Sequence, residues 1–163
     1  AAAPNDPYLL ELKGQILLES GKPRDALPVL RNAVQGTQYN PLVAALFGHA
    51  LIATEDPKNF AEAKNVLRTA IQRDNQNPLA WYQLGTIYAH EGDQARAFLS
   101  TAERFNLEGA AVPALANARN AMRGLPKDSS DWIRAQDIVM VSQVSIDNDP
   151  RYRGRRKPKT QVE

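Results

Sequence analysis

The sequence predicts an all-α chain built as a stack of antiparallel helix pairs, about three to four pairs with a capping helix at the C-terminal end. Three observations carry that expectation. First, Asn/Asp-rich lead-ins reach a proline three times, in NDPYL, YNPLV and QNPLA, and Pro7, Pro41 and Pro78 stand 34 and then 37 residues apart. Second, a small residue follows seven positions later in each case (Gly14, Gly48, Gly85), with a large one three further on (Leu17, Leu51, Tyr88). Third, a break and a second helical pattern follow each time, with Ala26, Leu30 and Ala33, then Ala63, Leu67 and Ala70, then Ala97.

The elements follow in chain order. Asp6, Asn40 and Asn77 are placed to cap free backbone N–H groups, and proline tolerates the first helical turn, where its missing N–H has no intrahelical partner. Gly21-Lys22-Pro23, Glu55-Asp56-Pro57 and Gly92-Asp93 end the first helices. The three additional residues between Pro41 and Pro78 fit the turn TEDPKNFAE, because a loop absorbs length at little cost. Close approach within a pair is expected where a glycine on one helix faces an alanine on the other. After residue 94, FLSTAERFNLEGAAVPALANARNAMRGLP fits a fourth, degenerate copy with Ala102, Phe105, Gly109, Ala114, Ala118 and Pro126 in register. A helix over about 94–108 then closes the third repeat and opens the fourth, with 111–123 as its partner and Gly124-Leu125-Pro126 as the stop. DSSDWIRAQDI, capped by Asp128 or the serine after it, reads as a last helix covering the open end of the stack. VMVSQVSI, 139–146, admits a helix extension or an extended arm, and DNDPRYRGRRKPKTQVE is expected to be poorly ordered. The expected organisation is a repeat domain over 1–138 and a basic tail over 139–163.

Trp81, Leu84, Gly85 and Tyr88 spell W-x-x-L-G-x-x-Y in the first helix of a helix-turn-helix unit of 34 residues, the tetratricopeptide (TPR) signature. The resemblance implies a right-handed superhelical, TPR-like stack. LLELKGQILLESGKPRDALPVLRNAV, NPLAWYQLGTIYAHEGD and DWIRAQDI together resemble the C-terminal TPR region of bacterial HExxH zinc metalloproteases of the BepA type, over roughly residues 5–138. That likeness implies a periplasmic, non-catalytic module in outer-membrane protein quality control. Its implied partners are a parent protease domain, substrate proteins or outer-membrane assembly proteins. The stretch from 139 on has no counterpart in the resemblance.

The totals are those of an ordinary globular chain: 43% hydrophobic and 23% charged residues, with no apolar run long enough for a membrane-spanning helix. Cysteine is absent, which removes disulfides, thiol nucleophiles and Cys-ligated zinc without separating periplasm from cytosol. The opening AAAPNDPY, with neither an initiator Met nor an apolar leader, reads as a mature chain or an excised domain. The net charge of +2 is uneven, since Arg151, Arg153, Arg155, Arg156, Lys157 and Lys159 hold six of the 20 basic residues. The basic character therefore belongs to the tail.

The sequence offers no catalytic or cofactor constellation. Of the two histidines, His90 begins an HExxH pattern with Glu91, but Gln94 stands at the second ligand position and Gly92-Asp93 breaks the helix between them. No G-x-S-x-G or G-x-x-x-x-G-K-[ST] occurs, and Asp128 with Asp131 reads as turn and cap chemistry. No catalytic, cofactor or metal residue is expected in this chain.

The resemblance places a partner-binding groove on the first helices: Tyr8, Glu11, Gln15 and Leu18, then Ala45, His49 and Ile52, then Tyr82, Thr86 and His90. Aromatic, amide, imidazole and aliphatic groups of this kind anchor an extended peptide or a neighbouring loop. The Lys and Asn residues of TPR carboxylate clamps are missing from these positions, which disfavours acidic C-terminal tails as ligands. For the basic tail, a solvated end stands beside contact with an acidic protein surface or with nucleic acid or anionic lipid. Tyr152 is the lone aromatic among those charges, so a base-stacking platform is not expected.

Overall fold

The computed structural model describes residues 6–153, and these contain nine helices and no strand. They are α1 (Pro7–Glu19), α2 (Pro23–Gly36), α3 (Pro41–Ala53), α4 (Pro57–Arg73), α5 (Pro78–His90), α6 (Gln94–Leu107), α7 (Ala111–Gly124), α8 (Ser130–Asn148) and α9 (Pro150–Arg153).

The helix starts follow from the lead-ins. The carboxylate of Asp6 accepts from the Tyr8 N–H at 2.9 Å, and the amide oxygens of Asn40 and Asn77 accept from Leu42 and Leu79 at 3.0 Å each. Proline occupies the first turn in all three helices. The stops use the left-handed region that glycine reaches without a Cβ clash, at Gly21 (φ 71°) and Gly92 (φ 79°). There Lys22 N–H donates to Leu17 C=O, and Asp93 N–H donates to Tyr88 C=O, both at 2.9 Å. The turn between α3 and α4 places Glu55 in the same region (φ 53°) without a glycine. Gln38 and Tyr39 are left-handed as well, and Arg73 from the end of α4 donates to both of their carbonyls.

Consecutive helices pack as pairs, and in the first three pairs the stacking is regular. α1 lies on α3 and α3 on α5, while α2 packs on α3 and α4 on α5. The rule changes at α6. This helix packs on both α5 and α7, as its double role in the sequence register requires, and α8 then lies on α6 while α7 does not reach α5. The core divides at the same place. One cluster runs from Ala26 in α2 to Ile87 in α5, and the other gathers Leu99, Ala102, Ala114, Ala118, Ala121, Leu125, Ala135 and Ile138 from α6 to α8. The small residues of the second cluster let α6 and α7 lie close, and a Cβ on Gly124 would stand 2.9 Å from that of Ala95.

Three expectations need correction. The small residue of each first helix faces a larger group than alanine. A Cβ on Gly14 would meet the Leu30 side chain, one on Gly48 would meet Leu67, and one on Gly85 would meet Ser100. The alanines are buried beside these contacts, one helical turn away in the first two pairs. The expected boundary at residue 138 also falls inside a helix, because α8 continues to Asn148. Ala135, Ile138 and Ser142, spaced 3 and 4 apart, are all buried and carry the helical period across 138. Gln143 accepts from Arg119 and donates to Asp147, at 3.1 Å each, which fixes the later turns. Asp149 is extended and caps the short α9 by accepting from Arg151 N–H at 2.9 Å, so the stretch expected to be poorly ordered from 147 holds the end of α8 and then α9. The rest of the expected tail, 154–163, lies outside the described residues. The cap of α8 is Ser129, which accepts from Trp132 N–H at 3.2 Å, with Asp128 one residue earlier in the left-handed region.

Candidate partner-binding face

The first helices of pairs one to three lie side by side, so residues at one helical register share a face. Nine of the ten expected groove residues keep solvent access of some degree and form no ion pair among the described residues: Tyr8, Glu11, Gln15, Leu18, His49, Ile52, Tyr82, Thr86 and His90. Tyr8 (65%) and Tyr82 (54%) are the large exposed rings. Thr86 donates back to the Tyr82 carbonyl at 3.1 Å, and the His90 ring stands edge-on to Phe60 at 4.7 Å between centroids. Gln15 is exposed but its amide donates to Glu19 at 2.8 Å, and Glu11 is half-buried. Ala45 is a correction. It is 2% exposed and belongs to the first core cluster, because a methyl group at that register does not reach beyond its neighbours.

The structure adds residues that the groove positions left out. Leu42 (63%) and Leu79 (50%) are the second residues of α3 and α5, as Tyr8 is of α1. The signal was present, because each directly follows the proline of its lead-in. Tyr8, Leu42 and Leu79 therefore repeat one apolar feature along three neighbouring helices. At the α5 end, the Arg104 guanidinium lies 5.4 Å from the Tyr82 ring and 4.4 Å from the Phe105 ring. Asn77, Pro78, Leu79, Tyr82, Arg104 and Glu108 line a depression of about 400 Å³ there. The arrangement offers apolar contacts in series, two imidazoles able to donate or accept, and one cation beside two rings.

On another side, a cleft of about 520 Å³ opens between α4, α5, α6 and α8 over Trp81, Leu84 and Tyr88. Its charges are largely matched within the chain. Lys64 pairs with Glu91 at 2.7 Å, and Arg96 reaches Asp93 (2.9 Å) and Asp131 (2.8 Å). Arg134 pairs with Glu103 at 3.0 Å and lies 5.3 Å from the Trp81 ring. Burial raises the Tyr88 hydroxyl pKa, against the lowering effect of Arg68 and Arg96. Burial also raises the Glu103 carboxyl above the ordinary glutamate value, against the pull of Arg134. Arg96 joins the starts of α6 and α8, so the cleft reads as an interlock between α8 and the preceding helices. Among the described residues, no group of three or more His, Cys, Asp or Glu is placed to hold a metal ion. No described helix is long and apolar enough to cross a membrane.

A family model described as tetratricopeptide repeat matches residues 58–113, which covers α4 to the start of α7. No curated protein matches the chain. Two solved structures of similar fold are crystal structures of MamA, each with a TM-score of 0.60 and 17% identity. They cover 87% and 91% of this chain, and 79% and 78% of their own. At that identity the likeness concerns the fold. The repeat spacing, the helix pairing and these matches agree that what folds here is a tetratricopeptide-like stack of helix pairs.

Proposed function

We propose that this chain is a protein–protein interaction module whose binding surface is the face shared by α1, α3 and α5. The observation that carries the reading is the exposed series Tyr8, Leu42 and Leu79, with Tyr82 beside it, on three helices packed side by side. Large apolar groups repeated at one register contact successive parts of a bound segment, and rings add contact area with little rotamer entropy to lose. The chain does no chemistry of its own in this reading. The stretches quoted above support a finer proposal: a periplasmic, non-catalytic part of an HExxH zinc metalloprotease. There it holds substrate or outer-membrane assembly proteins for a catalytic domain elsewhere in the parent.

The test is capture from bacterial envelope extract, followed by titration of the captured protein at low and high salt. Tyr82→Ala with His49→Ala should weaken binding by about 1–3 kcal/mol without changing the fold. Salt should matter little, since Tyr8, Leu42, Leu79 and Tyr82 include no Lys, Arg, Asp or Glu. Normal binding by the double variant, with loss on deleting 154–163 or adding salt, would move the site to the basic tail. Recovery of no metalloprotease or outer-membrane assembly protein would remove the finer proposal and leave an adaptor of another pathway.

A further inference from the structure

The first helix carries a second apolar face, distinct from the one above. Counting from the proline that opens each first helix as position one, positions three, six and ten are Val43, Leu46 and Ala50 in α3 and Ala80, Gln83 and Ile87 in α5. Five of these six are buried, with Val43, Ala50, Ala80 and Ile87 at 0–1% exposure, and Leu46 is half-buried. A preceding helix pair packs on each of these helices: α2 with α1 on α3, and α4 with α3 on α5. The same positions in α1 are Leu9, Leu12 and Ile16, and they stand 44%, 53% and 54% exposed. They fall three and then four residues apart, so they form one stripe along the helix.

The side chains are those of a covered junction. A contiguous apolar stripe on an exposed helix marks an interface.

We propose that this face of α1 is a repeat-to-repeat junction, filled by a further helix pair that lies N-terminal to Pro7 in the parent polypeptide. The two junctions within the chain state what the occupant is. Its second helix lies on α1 as α2 lies on α3, and it brings small or aliphatic residues seven and eight positions before Pro7. Ala33 and Val34 stand so before Pro41, and Ala70 and Ile71 before Pro78. The stripe carries no charge that would specify an acidic or basic partner.

The experiment compares this chain with the product of the same gene lengthened upstream by about one repeat, roughly 34 residues. Both are made with and without Leu12→Glu, and the readouts are amide hydrogen exchange of α1 and sedimentation over a range of concentrations. In the lengthened product, α1 should exchange about tenfold more slowly or better, approaching α3, and Leu12→Glu should abolish that gain. In the shorter chain, Leu12→Glu should leave α1 exchange and melting unchanged, since the position is exposed. Unchanged α1 exchange in the lengthened product overturns the proposal. So does a concentration-dependent dimer of the shorter chain that Leu12→Glu dissolves, because the occupant is then a second copy. No groove partner is needed, so failure here leaves the binding face of the previous section standing.

Discussion

Gly48 of α3 faces Leu67 of α4 so closely that a Cβ on the glycine would lie 2.7 Å from both Cγ and Cδ2 of the leucine. Leu67 is fully buried and has little room to yield. Gly48→Ala should therefore destabilise, because overpacking of roughly 1–3 kcal/mol exceeds the helix-propensity gain of about 1 kcal/mol. At Gly85 the nearest atom is the Ser100 Cβ, 3.2 Å away, so Gly85→Ala should be close to neutral and Gly85→Leu clearly destabilising. Thermal melts of the three variants decide the matter. A Gly48→Ala variant at least as stable as the parent would show that the pairs do not depend on this close approach.

Gln83 is the odd member of its register. It is 2% exposed, and neither its Oε1 nor its Nε2 has a hydrogen-bond partner among the described residues. Leu12 and Leu46 hold the same position in the first two pairs. An unpaired buried amide costs about 1–3 kcal/mol, so Gln83→Leu should stabilise by an amount within that range. Denaturant unfolding measures it, and a loss of stability would mean that the amide is satisfied in solution.

Glu103 links pH to stability. Its carboxyl is raised above 4.5 in the folded chain, chiefly by burial, and Arg134 offsets part of the effect. The folded state therefore holds this proton more tightly than the unfolded state does. The resulting stability is complete below about 4.5 and is lost as pH rises through the folded value. Glu103→Gln removes that dependence, so its melting temperature should gain on the parent between pH 4 and pH 7. An unchanging difference across that range would place the carboxylate in a better-solvated setting than its burial indicates.

The end of the fold is open to a simple cut. Stopping the chain after Ile138 removes the buried Ser142, the half-buried Val139 and the Gln143 hydrogen bonds to Arg119 and Asp147. Each kcal/mol lost should lower the melting temperature by roughly 2–4 °C, whereas stopping after Arg153 should leave it nearly unchanged. Equal melting of the two truncated chains would contradict the role given to the later turns of α8.

The repeat was legible because its signals are local. Asp6, Asn40 and Asn77 before proline, and glycine seven residues later, act within one helix or one pair, and the helix starts lie where they indicate. Contacts between pairs were less legible. The double role of α6 could be read from the register after residue 94, but the packing of α8 on α6 could not, because it depends on how α7 and α8 pack in three dimensions. At 138 the sequence admitted a helix extension or an arm over VMVSQVSI, and Ser142, polar by type yet buried by position, kept both readings open until α8 showed the extension. On the candidate face, Tyr8 and Tyr82 are exposed at the expected register, and Leu42 and Leu79 share Tyr8's offset. Ala45 has the right register but too short a side chain, and register alone does not measure reach.

Amide hydrogen exchange of the chain, alone and with the protein it captures from envelope extract, tests most directly where a partner sits. If the partner lies on the shared face, protection should appear in the opening turns of α1, α3 and α5, around Tyr8, Leu42 and Leu79–Tyr82, with α8 unchanged. Protection confined to α8 and the cleft over Trp81, or to the C-terminal tail, would contradict it.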